Sequence, residues 1–284
     1  MIGQDVSRGV RRLAILGRRA VVELSPGWAR AIGRGRGLAF AQVRAYQPGD
    51  DVRDIDWNVT ARRGEPFVKE FAREREQTIW LLVDESASMD FGSTVRTKRD
   101  LAVESAAVLA LAATLRGDRI GMMTFGPRCH VVRPRTHEPH ALRIIRDLMT
   151  PRRTGDHPPG AGVSMLLKTA KTRALVFVVS DLLFDRPIEV FRPLCPRHEV
   201  FVMHVSDPLE RKLPNVGMVR WRDAETGAVR VIDTRSEAIR RRFVFEAQER
   251  ERLIRRACAR YDMTRIPLAT NQPVLASLLR FFGR

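Results

Sequence analysis

Ile79, Trp80, Leu81, Leu82 and Val83 form an unbroken apolar run that stops at Asp84, and two hydroxyl residues follow at alternate positions, Ser86 and Ser88. A short run of this kind fits a strand buried on both faces, the condition of a central strand in a parallel sheet covered by helices. The carboxyl end of such a strand lies at the edge where open α/β sheets place their ligands. Asp84, Ser86 and Ser88 then offer one carboxylate and two neutral oxygens to one small volume. Hard oxygen donors of low total charge suit Mg²⁺ or Mn²⁺, which keep several waters and accept a further oxygen from outside the protein.

The pattern downstream alternates between strand and helix, as parallel strands with helical crossovers require. In 97–116, Leu101, Ser105, Val108, Leu109, Ala112 and Leu115 fall at helical spacing, a face able to lie on a sheet. Residues 119–125 read as the next strand, with 129–133 as its hairpin partner. A helix is expected over 138–149, a proline- and glycine-rich loop over 150–162 and a short helix over 163–171. Residues 174–179 form a second apolar, β-branched run, ending at Ser180-Asp181. Parallel strands align their carboxyl ends, so Asp84 and Asp181 can meet at one rim. Residues 199–205 read as a further strand, followed by Asp207. Near the C-terminus, 216–221 and 228–232 flank a turn with Gly227, a hairpin signature. A long arginine-rich helix over 236–260, a strand over 265–269 and a helix over 274–282 close the chain. The expected divisions are a basic N-terminal segment (1–32), a charged segment packed on the domain (33–76), an α/β core (77–208) and a C-terminal portion that completes it (209–284).

The chain has 284 residues, 44% of them hydrophobic, enough for a sizeable core. No stretch approaches the roughly 20 apolar residues that cross a bilayer, and the first residues lack a signal-peptide h-region. A cytoplasmic protein is expected. Cys129, Cys195 and Cys258 are odd in number and without C-x-x-C spacing, which favours reduced thiols over disulfides or zinc. The formal charge of +17 draws the chain toward acidic partners through a salt-sensitive attraction. Its arginines are spread along the chain, whereas nucleic-acid binding concentrates charge on one element. Nucleic acid is therefore not the expected partner.

A second stretch carries unusual spacing: Tyr46-x-Pro48-Gly49-Asp50-Asp51-x-Arg53-x-Ile55-Asp56-Trp57, then Ala61-Arg62. Its chemistry alone fits a charged turn in which Arg53 and Arg62 neutralise neighbouring aspartates and Trp57 anchors packing. Together with Phe67-Val68-Lys69-Glu70-Phe71, Glu74-Arg75-Glu76, Asp84-x-Ser86-x-Ser88, Ser180-Asp181, Leu268-Ala269-Thr270 and Leu278-Leu279-Arg280-Phe281-Phe282, it closely resembles the bacterial family called domain of unknown function 58. The resemblance runs from about residue 33 to the C-terminus. It implies a von Willebrand factor A-like fold, an open and mostly parallel sheet flanked by helices, and an association with MoxR-type AAA+ ATPases and their client proteins. Many members of that family carry membrane helices ahead of this region, so a version without them is implied here. The resemblance also implies a metal-ion-dependent adhesion site, with Asp84, Ser86, Ser88 and Asp181 in place. Relatives place its threonine in Gly-Thr-Asp, where this chain reads Gly160-Ala161-Gly162; Thr154, earlier in the loop, is the candidate to replace it.

Rival chemistries fit less well. Leu81-Leu82-Val83-Asp84-Glu85 mimics a Walker B strand, but the chain has no Gly-x-x-x-x-Gly-Lys-Ser/Thr to cradle phosphates. An aspartyl phosphotransferase needs an acid two residues after its nucleophile, where this chain has Ser86. No motif connects any histidine to Ser86 or Ser88, and His137-x-x-His140 lacks companion ligands. The expected function is a non-enzymatic interaction module in which Mg²⁺ or Mn²⁺ bridges to a partner carboxylate. The alternatives are a basic scaffold at the periphery of an anionic inner membrane or on nucleic acid, and a Mg²⁺-dependent phosphohydrolase.

Overall fold

The computed structural model describes residues 9–15, 17–18, 42–47, 55, 57–70, 76–150, 157–222, 224 and 227–282. Two compact units emerge, Trp28–Glu76 and the remainder. In the smaller, strands β1 (Gln42–Ala45) and β2 (Phe67–Glu70) pair antiparallel. Helix α1 (Trp57–Arg63) lies between them in sequence. Its exit is a turn at Gly64, whose φ of +77° suits a residue without Cβ. The Thr60 hydroxyl accepts a bond from the Phe67 amide at 3.0 Å, tying that exit to β2.

The larger unit is built on a six-stranded sheet of order β10-β7-β6-β3-β4-β5. Its strands are β3 (Thr78–Asp84), β4 (Arg119–Phe125), β5 (Val131–Arg135), β6 (Leu175–Ser180), β7 (Glu199–Ser206) and β10 (Thr264–Ala269). Every pairing is parallel except that of the edge strand β5 with β4. The fold is thus the mixed α/β class that the sequence implies. From β3 the chain builds outward through β4 and β5, then returns to the other side of β3 with β6. That reversal opens a crevice between the carboxyl ends of β3 and β6, where sheets of this kind receive ligands.

Alternation along the strands divides the core into two layers. Trp80 and Leu82 of β3, Val176 and Val178 of β6, and Val200 and Val202 of β7 share one apolar cluster. Helix α4 (Pro159–Thr169) adds Val163 and Leu166, the 3₁₀ segment Glu189–Leu194 adds Phe191 and Leu194, and helix α5 (Glu237–Arg260) adds Ile254 and Cys258. The alternate residues Ile79, Leu81, Phe177, Val179, Phe201 and Met203 are equally buried. Against the sheet lie helix α2 (Lys98–Leu115), which also meets α3 (Glu138–Met149), and α6 (Val274–Phe282), whose Phe281 ring stands edge-on to Phe201 at 6.3 Å. A separate hairpin, β8 (Met218–Arg222) and β9 (Val229–Asp233), touches α5 where Trp221 meets Phe243 at 5.8 Å. No helix among the described residues is long and apolar enough to cross a membrane.

Several boundaries shift by one or two residues from the sequence reading, as in β5, expected over 129–133 and found at Val131–Arg135; one shifts further. Helix α4 starts at Pro159, inside the stretch expected to be loop, with Pro158 as its N-cap. Proline in the first turn loses nothing, because those amides have no intrahelical acceptor and its φ already matches the helix. Composition therefore pointed to a loop where position within the helix decides.

Candidate functional site

Strand β3 delivers Asp84 to the crevice with 1% of its surface exposed. One carboxylate oxygen, Oδ1, accepts from the Ser86 amide at 2.9 Å, turning the chain sharply after the strand. The other, Oδ2, accepts from the Ser180 hydroxyl at 2.6 Å, joining the tips of β3 and β6. The turn continues into a 3₁₀ segment, Ala87–Asp90, which brings the Ser86 and Ser88 hydroxyls to 3.1 Å from each other. Gly126, ending β4 with φ +107°, packs so closely that a Cβ there would lie 2.7 Å from the Ser86 nitrogen. The same glycine is bridged through both backbone groups to His157, at 2.8 and 2.6 Å.

Arginines brace this turn from outside. Arg128 grips buried Glu85 through two bonds of 2.6 and 2.9 Å and also donates to the Asp147 carbonyl at 2.7 Å. Arg99 pairs with Asp90 at 2.5 Å and donates to the Glu85 carbonyl at 3.1 Å. Forked guanidinium contacts of this type fix direction as well as distance.

Asp181 follows a different course. Its Oδ2 pairs with Lys98 at 2.6 Å, both side chains being 1% exposed, and its Oδ1 accepts from the Leu183 amide at 3.1 Å. The same ammonium pairs with Glu210. Glu210 in turn accepts from the Asp207 amide at 2.9 Å. Asp207, fully buried, accepts from the Ser93 and Leu209 amides at 2.9 Å each and from the Thr270 hydroxyl at 2.7 Å. A polar chain therefore runs along the rim from β6 to β7 and β10, with Lys98 at its centre. Lys98 opens α2, where the helix dipole disfavours a cation, so these carboxylates are what hold it there.

The charges are unevenly balanced. Burial, with the Asp181 charge adding to it, pushes the Asp84 carboxyl up to about 6, against bonds from Ser180 and Ser86 that pull it down. Burial pulls the Lys98 ammonium down, but Asp181 and Glu210 outweigh it and hold it above its ordinary value. Asp181 thus has a cation, whereas the oxygens of Asp84 meet only neutral donors among the described residues. An ionised carboxylate buried beside a like charge is a place where added positive charge is favoured. Neighbouring ligands on an octahedral Mg²⁺ at about 2.1 Å are about 3.0 Å apart, close to the Ser86–Ser88 hydroxyl separation of 3.1 Å. Asp84, Ser86 and Ser88 therefore fit a small divalent cation in charge and in donor chemistry. Asp181 sits close enough to raise the Asp84 pKa, while its own oxygens are taken by Lys98 and Leu183.

Of the residues singled out by sequence, Asp84, Ser86, Ser88 and Asp181 gather at one rim. Thr154, Pro48, Gly49, Asp50, Asp51, Arg53 and Asp56 lie outside the described residues. Tyr46 is half-buried and bonds Pro66 through its amide at 2.8 Å, and Arg62 is exposed. Trp57 is 67% exposed, so it is not the packing anchor its size suggested. Lys98 and Glu210 went unnoticed in the sequence. A signal for Lys98 was there: it precedes Leu101 and Ala102 by three and four positions, which puts a cation on the buried face of α2.

The model for "Protein of unknown function DUF58" matches residues 42–253. The uncharacterized protein Rv1480 of Mycobacterium tuberculosis is 35% identical over 257 residues, covering 87% of this chain and 79% of its own. Among solved structures, an aerotolerance-related membrane protein from Bacteroides fragilis aligns at 14% identity and TM-score 0.45, over 72% of this chain and 96% of that one. The SpRpn10 VWA domain aligns at 14% identity and TM-score 0.41, over 72% and 95%. The fold assignment stands on the order and direction of the strands themselves.

Proposed function

The chain belongs to the DUF58 family of proteins of unknown function, and on that premise we propose that it is a non-enzymatic interaction module of the von Willebrand factor A type, holding a divalent cation at the β3–β6 crevice and recognising a partner carboxylate there. The observation that carries this reading is the Asp84 carboxylate, buried and without a cation of its own among the described residues, beside two hydroxyls 3.1 Å apart. Asp84, Ser86 and Ser88 hold the ion, and Ser180 and the Ser86 amide fix the carboxylate's direction. Lys98 neutralises Asp181, so the crevice does not carry two uncompensated carboxylates. A bound Mg²⁺ or Mn²⁺ supplies charge and an open coordination position for an Asp or Glu of another protein.

Several groups that a hydrolase would use are committed elsewhere. His130 bonds Asp147, His140 bonds the Ile120 carbonyl and His204 bonds Arg265. The position two after Asp84, where a phosphotransferase keeps its acid, is Ser86. The partner we propose is a MoxR-type AAA+ ATPase with its client, through the association the family resemblance implies.

The test is capture of that ATPase by wild type and by Asp84→Ala, each with Mg²⁺ and with chelator. Capture that needs both Mg²⁺ and Asp84 is expected; equal capture under all four conditions overturns the reading.

A further inference from the structure

Beside the rim, the loop after Asp181 and the C-terminal half of α5 enclose a cleft of about 680 Å³. Its apolar lining comes from Leu183 and Phe184 on the loop and from Leu253, Ile254 and Ala257 on the helix. Leu253 is 61% exposed and Leu183 37%. Four exposed arginines, Arg186, Arg250, Arg256 and Arg260, also line it, against two acids, Asp185 and Glu189. Arg186, Arg250 and Arg256 form no ion pair among the described residues. A smaller cleft of about 260 Å³, lined by Asp181, His204 and Glu210, shares Leu183, Arg250 and Ile254 with the first. The surface is therefore continuous from the rim into the apolar cleft.

Both walls are preformed. The loop leaves Asp181 through Leu182, 1% exposed with φ +59°, and turns again at Arg186 with φ +48°. Left-handed conformations at residues with a Cβ are unfavourable and persist where the surroundings impose them. Here the Ser180 hydroxyl accepts from the Leu182 amide at 3.0 Å, and buried Ile188 anchors the far end. Helix α5 is held to the sheet by Glu251, which pairs with Arg265 at 2.6 Å, and Arg265 reaches His204 at 3.0 Å. Walls fixed before binding spare a ligand the cost of ordering them.

We propose that this cleft seats an amphipathic segment of the partner protein, with leucine-like anchors between Leu183 and Leu253 and acidic residues facing Arg250, Arg256 and Arg260. Apolar area selects an apolar face, and arginines around it that form no ion pair among the described residues select acids over lysines. The proposal rests on the rim reading for the partner's identity, and adds the chemistry of the segment beside the bridging carboxylate.

Three fluorescein-labelled helical peptides test it by anisotropy against the full chain: one of glutamates and leucines at i, i+3, i+4 spacing, one with lysines replacing the glutamates, and one with serines replacing the leucines. The acidic leucine peptide should bind about tenfold or more tighter than either control. Leu253→Glu and the pair Arg250→Glu/Arg256→Glu, all at exposed positions that leave the fold unburdened, should each weaken it by about tenfold. Equal binding of the three peptides, or wild-type affinity in both variants, overturns the proposal. Repeating the titrations with Mg²⁺ and with chelator separates the two ideas. The effect of Leu253→Glu persists without metal if the cleft is right and the cation site is wrong. Mg²⁺-dependent ATPase capture that is indifferent to Leu253→Glu shows the reverse.

Discussion

Asp84 is the residue on which the site's chemistry turns, because its folded carboxyl is raised to about 6 from 3.8. A raised acid gives its full stability contribution below its unfolded value, and that contribution is lost as pH rises through the folded one. Between pH 4 and 6 the folded form holds a proton that the unfolded form has released, so this group makes the fold less stable as pH rises. A rise of that size corresponds to about 3 kcal/mol at most. Asp84→Asn removes the penalty while Asn Oδ1 can still accept from Ser86. Its melting temperature without metal should exceed that of wild type at pH 7.5, and the difference should shrink to about a third by pH 4.5, on its way to vanishing below the unfolded value of 3.8. A variant less stable than wild type at both values would contradict the uncompensated charge. His204 acts in the opposite sense: burial, then Arg265 and Arg211, take it down to about 3, so its share of stability is lost as pH falls from the ordinary histidine range. Only the difference between variant and wild type isolates Asp84.

Among the elements, α2 does more than cover the sheet. Its capping box at Thr97 and Asp100 places Lys98 in the first turn, facing inward, where the ammonium ties the β6 loop to the 3₁₀ segment Pro208–Glu210. Removing one member of a buried pair leaves the other charged and unpaired, at a cost of about 3–5 kcal/mol. Lys98→Met should therefore lower stability by that amount in urea titration. Replacing both members with apolar groups removes the unpaired charge. Lys98→Met/Asp181→Leu should regain most of the loss, leaving only Glu210, whose side chain is 16% exposed, to rehydrate. A double variant no better than the single would mean that α2 holds its place by some other contact.

For the whole molecule, the formal charge of +17 is a field as well as a composition. Attraction of that kind draws anionic surfaces and is screened within about 10 Å at 0.1 M salt. Adsorption to anionic vesicles or nucleic acid should fall steeply between about 0.05 and 0.5 M salt and ignore chelation. Mg²⁺-dependent capture of the ATPase should keep its chelator sensitivity across the same range. If capture instead follows the vesicle curve and ignores chelator, the chain is an electrostatic scaffold. Sedimentation with vesicles and pull-down, run side by side, decide between them.

Much of this protein was written locally. The apolar runs ending in Asp84 and Asp181 announced two buried strands and their tips, and α3, α6 and β4 fall where periodicity and turn residues put them. Strand period, helix period and turn chemistry act within a few residues, so a linear reading reaches them. The start of α4 was missed because proline has opposite meanings inside a helix and at its first turn. The exposure of Trp57 was missed because size alone does not say what a side chain packs against. Only the tertiary structure decided the strand order that sets β6 against β3, bringing Ser180 to an aspartate 96 positions away. It alone matched Lys98 to Asp181 and Glu210, 83 and 112 positions distant. Such pairings follow from how strands stack in space, and no window of the chain contains both partners.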